Sequence, residues 1–399
     1  MERIIFHIDV NNAFLSWTAV EMLKNGSNLD IRTIPSVVGG DEKQRHGVVL
    51  AKSMLAKKAG IVTGEPLFQA KRKVDKLYIA PLMRDKYYEY SNEFYKILCK
   101  YSPVVERYSV DECFLDMTGT KKIFGDPVEL AYKIKDEIKD SLGFTVNVGV
   151  ANNKLCAKMA SDFEKPDKVH TLFENEIKTK MWPLNVDDLF MVGRSSSKKL
   201  HELNINTIED LAKSDINMLT KYFKSQGIIM HNYANGIDDS PVERPVPKNQ
   251  GIGNSVTLPE DAETIYDIKK ILRKLSDMVG IRLRKEGKYA TVVAVHLKNN
   301  AFTTYGHQKK LMNPISSNED IYDVACQLLK AMWKGDPIRL VGIRVTDFTD
   351  KAYEQISLFE EVGKIEKRDK VQKAMDEINE KYGKNVIKSA SLYENKNSS

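Results

Sequence analysis

Three acidic residues stand where their type and setting could support chemistry. Asp9 closes an apolar run, RIIFHIDV (3–10), and Asp111 and Glu112 interrupt a second one, RYSVDECFLDMTG (107–119). Carboxylates at the strand ends of one sheet can converge. Three of them can hold two divalent ions roughly 3.5–4 Å apart, which stabilises both the attacking and the leaving oxygen of an in-line phosphoryl displacement. Magnesium suits such a set, because it prefers hard oxygen ligands and keeps room for substrate phosphates. The alternative is that each acid is a solvated turn residue, and the strand context alone leaves both readings open.

These residues need a scaffold, and the flanking patterns supply one. Residues 3–10 read as a short buried strand. NNAFLSWTAVEMLKNG reads as a helix, with apolar residues at 14, 17, 20 and 23 and Gly26 as its stop. Gly39-Gly40 and the charged DEKQRHG form a loop, and 48–59 a strand running into a short helix. Then follow a Tyr-rich helix at 85–101, a strand–turn–strand around Asp111-Glu112, a helix at 127–141, the strand FTVNVGVA, and the helix NNKLCAKMASDF before Pro166. That order implies an α+β domain with helices backing a sheet. Residues 186–236 are helical with short loops, and SPVERPVPKNQGIGNS has the proline and glycine content of a linker. From 255 to 347 a second α+β unit is expected: strand SVTL, a helix at 264–285, strands ATVVAVHL and FTTYG, a helix at 319–333, and strand IRLVGIRVTDF. The C-terminal stretch holds a short apolar motif and an amphipathic helix with Val371, Met375, Ile378 and Tyr382 on one face. No fixed-period repeat is present.

Composition narrows the class. A chain of 399 residues is too long for one core and implies about two to four domains. A net charge of +6 permits a nucleic-acid partner without requiring one. The cysteines at 99, 113, 156 and 326 make neither a Cys-x-x-Cys pair nor a disulfide scaffold, which fits a reduced, cytoplasmic setting. No signal-peptide pattern is seen, and no apolar run approaches the roughly 20 residues needed to span a bilayer.

IIFHIDVNNAFLSW, YSVDECFLD and VGVANNKLCAKMASDFEKPD resemble, in order and spacing, the three catalytic motifs of Y-family translesion DNA polymerases, the bacterial polymerase IV and V type. The resemblance covers residues 1 to about 360. It implies a multidomain α+β, right-hand polymerase: palm at 1–19 and 77–166, small fingers at 20–76, helical thumb at 167–236, linker at 237–250, an α+β little finger at 251–350, and a tail at 351–399. Asp9, Asp111 and Glu112 become the ligands of two Mg2+ ions, with the Val10 carbonyl as a further ligand. The deoxynucleoside triphosphate would lie over Asn12 and Ala13, where helix amides and dipole favour an anion. Phe14 stands where the family keeps an aromatic gate against a ribose 2′-hydroxyl, and otherwise reads as one more core residue of an amphipathic helix. Lys165 matches the family's triphosphate lysine, and Lys57 falls where many members have Arg. Met54 replaces a phosphate-binding Tyr, and Asn11 replaces a second Asp, which is similar to the polymerase V-like branch.

The remaining motifs concern DNA and a partner. VDDLFMVGRSSSKKLHELNINTIEDLA resembles the family's helix-hairpin-helix, in which a tight Gly turn presents backbone amides to a phosphate. Gly193 fits it, Ser195 replaces the second glycine, and Lys198 and Lys199 could add phosphate contacts. Residues 281–310 carry seven Lys or Arg, among them Arg282, Arg284 and Lys285, against the single acid Glu286. They match the little finger that holds primer-template DNA. Gln355, Ile356, Leu358 and Phe359 resemble the peptide that bacterial polymerases insert into the sliding clamp (β subunit). The implied function is low-fidelity translesion synthesis by a bacterial, cytoplasmic monomer without proofreading. A non-catalytic DNA-binding accessory protein and a two-metal nuclease are the rivals.

Overall fold

The apolar run ending at Asp9 is strand β1 (Ile5–Val10), and its six residues are all buried. The computed structural model describes residues 3–41, 47–243 and 250–350, with scattered positions between 371 and 387. Asn12, in the left-handed region at φ 50°, turns the chain into α1 (Ala13–Lys24). Asn is one of the few non-glycine residues that adopts this conformation readily. β2 (Ser36–Gly39), β3 (Val49–Lys52), α2 (Met54–Lys58), α3 (Leu67–Lys73) and β4 (Tyr78–Ala80) build a small lobe on a sheet of order β3-β2-β4. α4 (Arg84–Leu98), β5 (Val105–Arg107), β6 (Glu112–Asp116), α5 (Lys121–Phe124), α6 (Pro127–Leu142), β7 (Val146–Ala151), α7 (Lys154–Asp162) and β8 (Val169–Leu172) return to β1. They complete a five-stranded sheet of order β5-β6-β1-β7-β8, with β1 at its centre and antiparallel to both neighbours.

Alternation along β1 sorts its side chains. Phe6, Ile8 and Val10 join Trp17 of α1, Tyr90 and Phe94 of α4, and Ile134 of α6 in one core. Ile5, and by period two His7 and Asp9, face the other way, toward α7. α1 is apolar on two sides: Trp17 and Val20 enter the main core, while Leu15 and Ala19 pack with Ile31, Val38 and Ala80 of the small lobe. A helix clamped between two sheets has no polar face to show. The boundary expected between 19 and 20 therefore falls inside one continuous helix.

α7 lies unusually close to the sheet. A Cβ at Gly149 would stand 1.9 Å from the Ala157 carbonyl oxygen and 2.6 Å from the Ser161 nitrogen, so backbone packs on backbone there. Beyond it, α8 (Arg194–Glu202), α9 (Ile208–Ala212), α10 (Ile216–Phe223) and α11 (Ser225–Ala234) share a core with Leu155 and Cys156 of α7.

The chain divides into two units, Met1–Gly40 with Gly47–Val246, and Pro247–Ser399 with Asp41–His46. The second unit is β9 (Gly251–Ala262), α12 (Ile265–Lys285), β10 (Tyr289–Asn299), β11 (Thr304–Ile315), α13 (Asn318–Met332) and β12 (Ile338–Thr349). Its antiparallel sheet has the order β11-β10-β12-β9, and α12 and α13 contribute to the core over it. The strand expected at SVTL is twelve residues long. GIGNS, which has the composition of a linker, pairs with β12 because Gly251 leaves room for Arg344 and Thr346 to cross it. The tail falls largely outside the described residues, although 371, 374–375, 377–378 and 381–382 are helical.

Gly149→Ala is expected to lower stability by about 1–3 kcal/mol, the usual range for overpacking, because the added methyl meets backbone and no side chain can yield. Thermal unfolding followed by far-UV circular dichroism measures it.

Candidate active site

The pairing of β1 with β6 sets Asp9 directly across from Glu112. Directly paired residues of an antiparallel pair share a face, so the two carboxylates lie side by side. His7 shares that face two positions earlier. Asp111 sits just before β6, and its carbonyl accepts a hydrogen bond from the Val10 N–H at 3.0 Å, which ties the acidic turn to the end of β1. The Asp111 carboxylate itself accepts from the Ser109 hydroxyl at 2.5 Å.

Two carboxylates this close, one of them buried, require positive charge. α7 and the turn after it provide it. Lys158 donates to Glu112 at 2.9 Å, and Lys165 donates to Asp9 and, at 2.7 Å, to Asp162. Burial pushes the Asp9 carboxyl up to about 6, against the opposing pull of Lys165. Burial also raises Glu112, but the Lys158 ammonium pulls it below the usual carboxylate range. His7 Nε2 stands 3.6 Å from Glu112, too long for a hydrogen bond, and the ring brings no charge to it. Burial lowers His7 to about 4, so the ring is neutral at physiological pH. The Ser161 hydroxyl donates to the Lys158 carbonyl and so must accept from His7 Nδ1, which assigns the ring proton to Nδ1.

These oxygens suit a hard divalent cation. Among the described residues no three His, Cys, Asp or Glu groups are close enough to hold one by themselves. With Asp111 turned to Ser109, the chain offers Asp9 and Glu112 as adjacent donors, and an ion there would complete its shell with water and phosphate, as magnesium commonly does.

The other expected residues lie as follows. Asn12 makes no side-chain capping bond to α1, no side-chain hydrogen bond reaches the first-turn amides among the described residues, and Ala13 is buried. Phe14 is half-buried, with its ring against Tyr87. Lys57 is exposed on α2, and its charge lowers the pKa of half-buried Lys52, second to burial. Asn11 is buried and hydrogen-bonded to Asn147, an uncharged position inside the fold rather than a further acid of the site. Gly193 is the N-cap of α8 in extended conformation; the left-handed residue of that turn is Met191, at φ 73°. Lys198 is exposed, whereas Lys199 pairs with Glu202. In the second unit Arg282 and Lys285 are exposed, but Arg284 is half-buried and donates to the Ser316 carbonyl and the Asn318 side chain. Gln355, Ile356, Leu358 and Phe359 lie outside the described residues. Sequence reasoning missed His7 and Lys158. A lysine embedded in the apolar LCAKMA of a helix was the available signal, because buried lysines are almost always paired.

Lys158→Met is expected to destabilise the first unit by about 2 kcal/mol. That is below the ~3–5 kcal/mol of a fully buried pair, because Glu112 keeps some solvent contact. Added Mg2+ should restore more of the melting temperature in this variant than in the parent, since a bound cation replaces the lost charge. Melting curves with Mg2+ and with a chelator measure both effects.

Family models describe the same regions. The impB/mucB/samB family matches residues 8–162, its C-terminal domain 249–358, and the DNA polymerase-iota thumb domain 187–238. The chain is 48% identical to DNA polymerase IV of Clostridium acetobutylicum over 99% of both chains. It is 36% identical to DNA polymerase IV of Clostridium kluyveri over 98% of both. Among solved structures, a chimera of the Y-family DNA polymerases Dbh and Dpo4 aligns with TM-score 0.77 at 25% identity, covering 87% of this chain and all of that one. DinB from Sulfolobus solfataricus aligns with TM-score 0.56 at 26% identity, covering 86% of this chain and 98% of that one.

Proposed function

The chain belongs to the impB/mucB/samB family and is a translesion DNA polymerase of the Y family, and from that premise we propose that Asp9, Asp111 and Glu112, with the Val10 carbonyl, form its nucleotidyl-transfer site. The observation that carries this reading is the register that sets Asp9 beside Glu112, with two lysines supplying the opposing charge. The nuclease and accessory-protein readings gain no support: all three acids are present, and the relatives are polymerases along the whole chain.

Two Mg2+ ions bound at these carboxylates would activate the primer 3′-hydroxyl and neutralise charge on the α-phosphate and the leaving pyrophosphate. The chain's own residues do the rest. The open first-turn amides at Asn12 and Ala13 receive the triphosphate, helped by the helix dipole. Lys165 exchanges its contact with Asp9 for triphosphate oxygens, and Lys57 adds charge from the small lobe. Phe14 blocks a ribose 2′-hydroxyl. The 3′-oxygen attacks the α-phosphorus, the bond to the bridging oxygen breaks, and pyrophosphate leaves. A small lobe of three short strands offers few contacts to the nascent base pair, which suits synthesis across damaged templates.

DNA is held through Gly193 and Lys198 of the thumb and through Arg282 and Lys285 of the second unit, in sequence-independent phosphate contacts. Arg284 would support that surface from within. Gln355, Ile356, Leu358 and Phe359 tether the enzyme to a sliding clamp, raising its local concentration on DNA. The protein acts as a monomer in the bacterial cytoplasm. Among the described residues no helix is long and apolar enough to cross a membrane.

Native protein is expected to extend a labelled primer with deoxynucleotides in Mg2+. Asp111→Ala combined with Glu112→Ala should lower the rate by at least about 10³-fold, the equivalent of several kcal/mol of metal-supplied stabilisation. Primer shortening, or a fully active double variant, would sink the assignment. Arg282→Ala should weaken binding to all DNA sequences alike and reduce the salt slope by about one. Fluorescence anisotropy across a salt series checks this.

A further inference from the structure

Phe14 does not stand alone. Its ring stacks on Tyr87 of α4, with centroids 4.8 Å apart and planes 14° from parallel. Tyr87 is 5% exposed, and Trp17 packs tilted beside both rings, its centroid 6.0 Å from Phe14 and 5.9 Å from Tyr87. The Tyr87 hydroxyl is 2.8 Å from Thr18 Oγ1, which lies 2.7 Å from the Phe14 carbonyl oxygen. A carbonyl can only accept, so Thr18 uses its single proton on Phe14, and Tyr87 must donate to Thr18. One tyrosine thus backs the Phe14 ring and, through Thr18, holds the Phe14 backbone.

We propose that Tyr87 is a positioning residue for sugar selection: it fixes the Phe14 ring from behind, so that exclusion of ribonucleotides depends on the pair rather than on Phe14 alone. This rests on the reading of Phe14 as the residue that meets the incoming sugar. A blocking ring discriminates only if it cannot retreat. Behind Phe14 the space is filled by a buried ring that is itself anchored at its hydroxyl and packed on Trp17. In a close-packed interior such a ring yields little. Without it, Phe14 can withdraw toward α4, and a 2′-hydroxyl is tolerated. Tyr87 touches no substrate; it acts through Phe14.

The test is single-nucleotide insertion on primed template, with kcat/KM measured for a deoxynucleotide and its ribonucleotide. Tyr87→Leu is expected to raise the ribonucleotide-to-deoxynucleotide ratio about five- to tenfold, the factor that the stabilisation of an aromatic pair converts to. Tyr87→Phe keeps the stack, and its ratio stays within about twofold of native. A purely structural role would lower both nucleotides together and leave the ratio unmoved, and that result overturns the inference. If Tyr87→Leu does not fold, Thr18→Val, which cuts the link between Tyr87 and the Phe14 backbone, must raise the ratio, and no change there overturns it equally. Phe14→Ala separates the two levels. If it raises the ratio while folded Tyr87→Leu does not, the backing role fails and the gate stands. If it leaves the ratio unchanged, the gate reading fails and the inference with it.

Discussion

Two carboxylates on adjacent strands repel, and like charges directly opposite in an antiparallel pair destabilise the sheet. The register of β1 with β6 imposes this arrangement on Asp9 and Glu112. Everything nearby is organised to make it tolerable: Lys158 reaches Glu112 from α7, Lys165 reaches Asp9 from the turn after α7, and Asp162 links the two lysines. The lysines can reach only because α7 lies on the sheet at the distance that Gly149 permits. A site proposed to take cations and polyanions by turns has to exchange these partners without unfolding. Lysine, a flexible point charge, suits that exchange better than a rigid bidentate arginine.

The second constraint is α1. It begins at the end of the strand that carries Asp9, and it is gripped by the main core on one side and the small lobe on the other. Its first turn therefore has little freedom, and that turn is where an anion and the Phe14 ring would meet. Precision in the acids and stiffness in α1 contrast with the three short strands of the small lobe. The combination fits an enzyme that is strict about sugar and phosphate and lenient about the base.

Much of this was legible in the sequence, and the exceptions have physical reasons. The acids, the central strands and the long helices show in apolar periodicity, because each lies against a core. GIGNS escaped recognition as strand because glycine signals a turn until the crossing of Arg344 is known. Arg284 looked like one more surface cation; only the fold brings Ser316 and Asn318 to it. Asn11 stands where many family members have a second Asp, which resembles the polymerase V-like branch, yet the relatives that match the whole chain carry the polymerase IV name, and Asn11 is a buried amide. Tyr87 lies far from Phe14 in sequence, so no local pattern could pair them.

The central claim, that the β1–β6 register builds a two-cation site, is tested most directly by counting ions. Mn2+ would be titrated by electron paramagnetic resonance into the protein with primer-template DNA and a non-hydrolysable deoxynucleotide. About two ions per chain are predicted for the native protein, with at least one lost on Asp9→Asn. Binding unchanged by Asp9→Asn, or no tight binding at all, would contradict it.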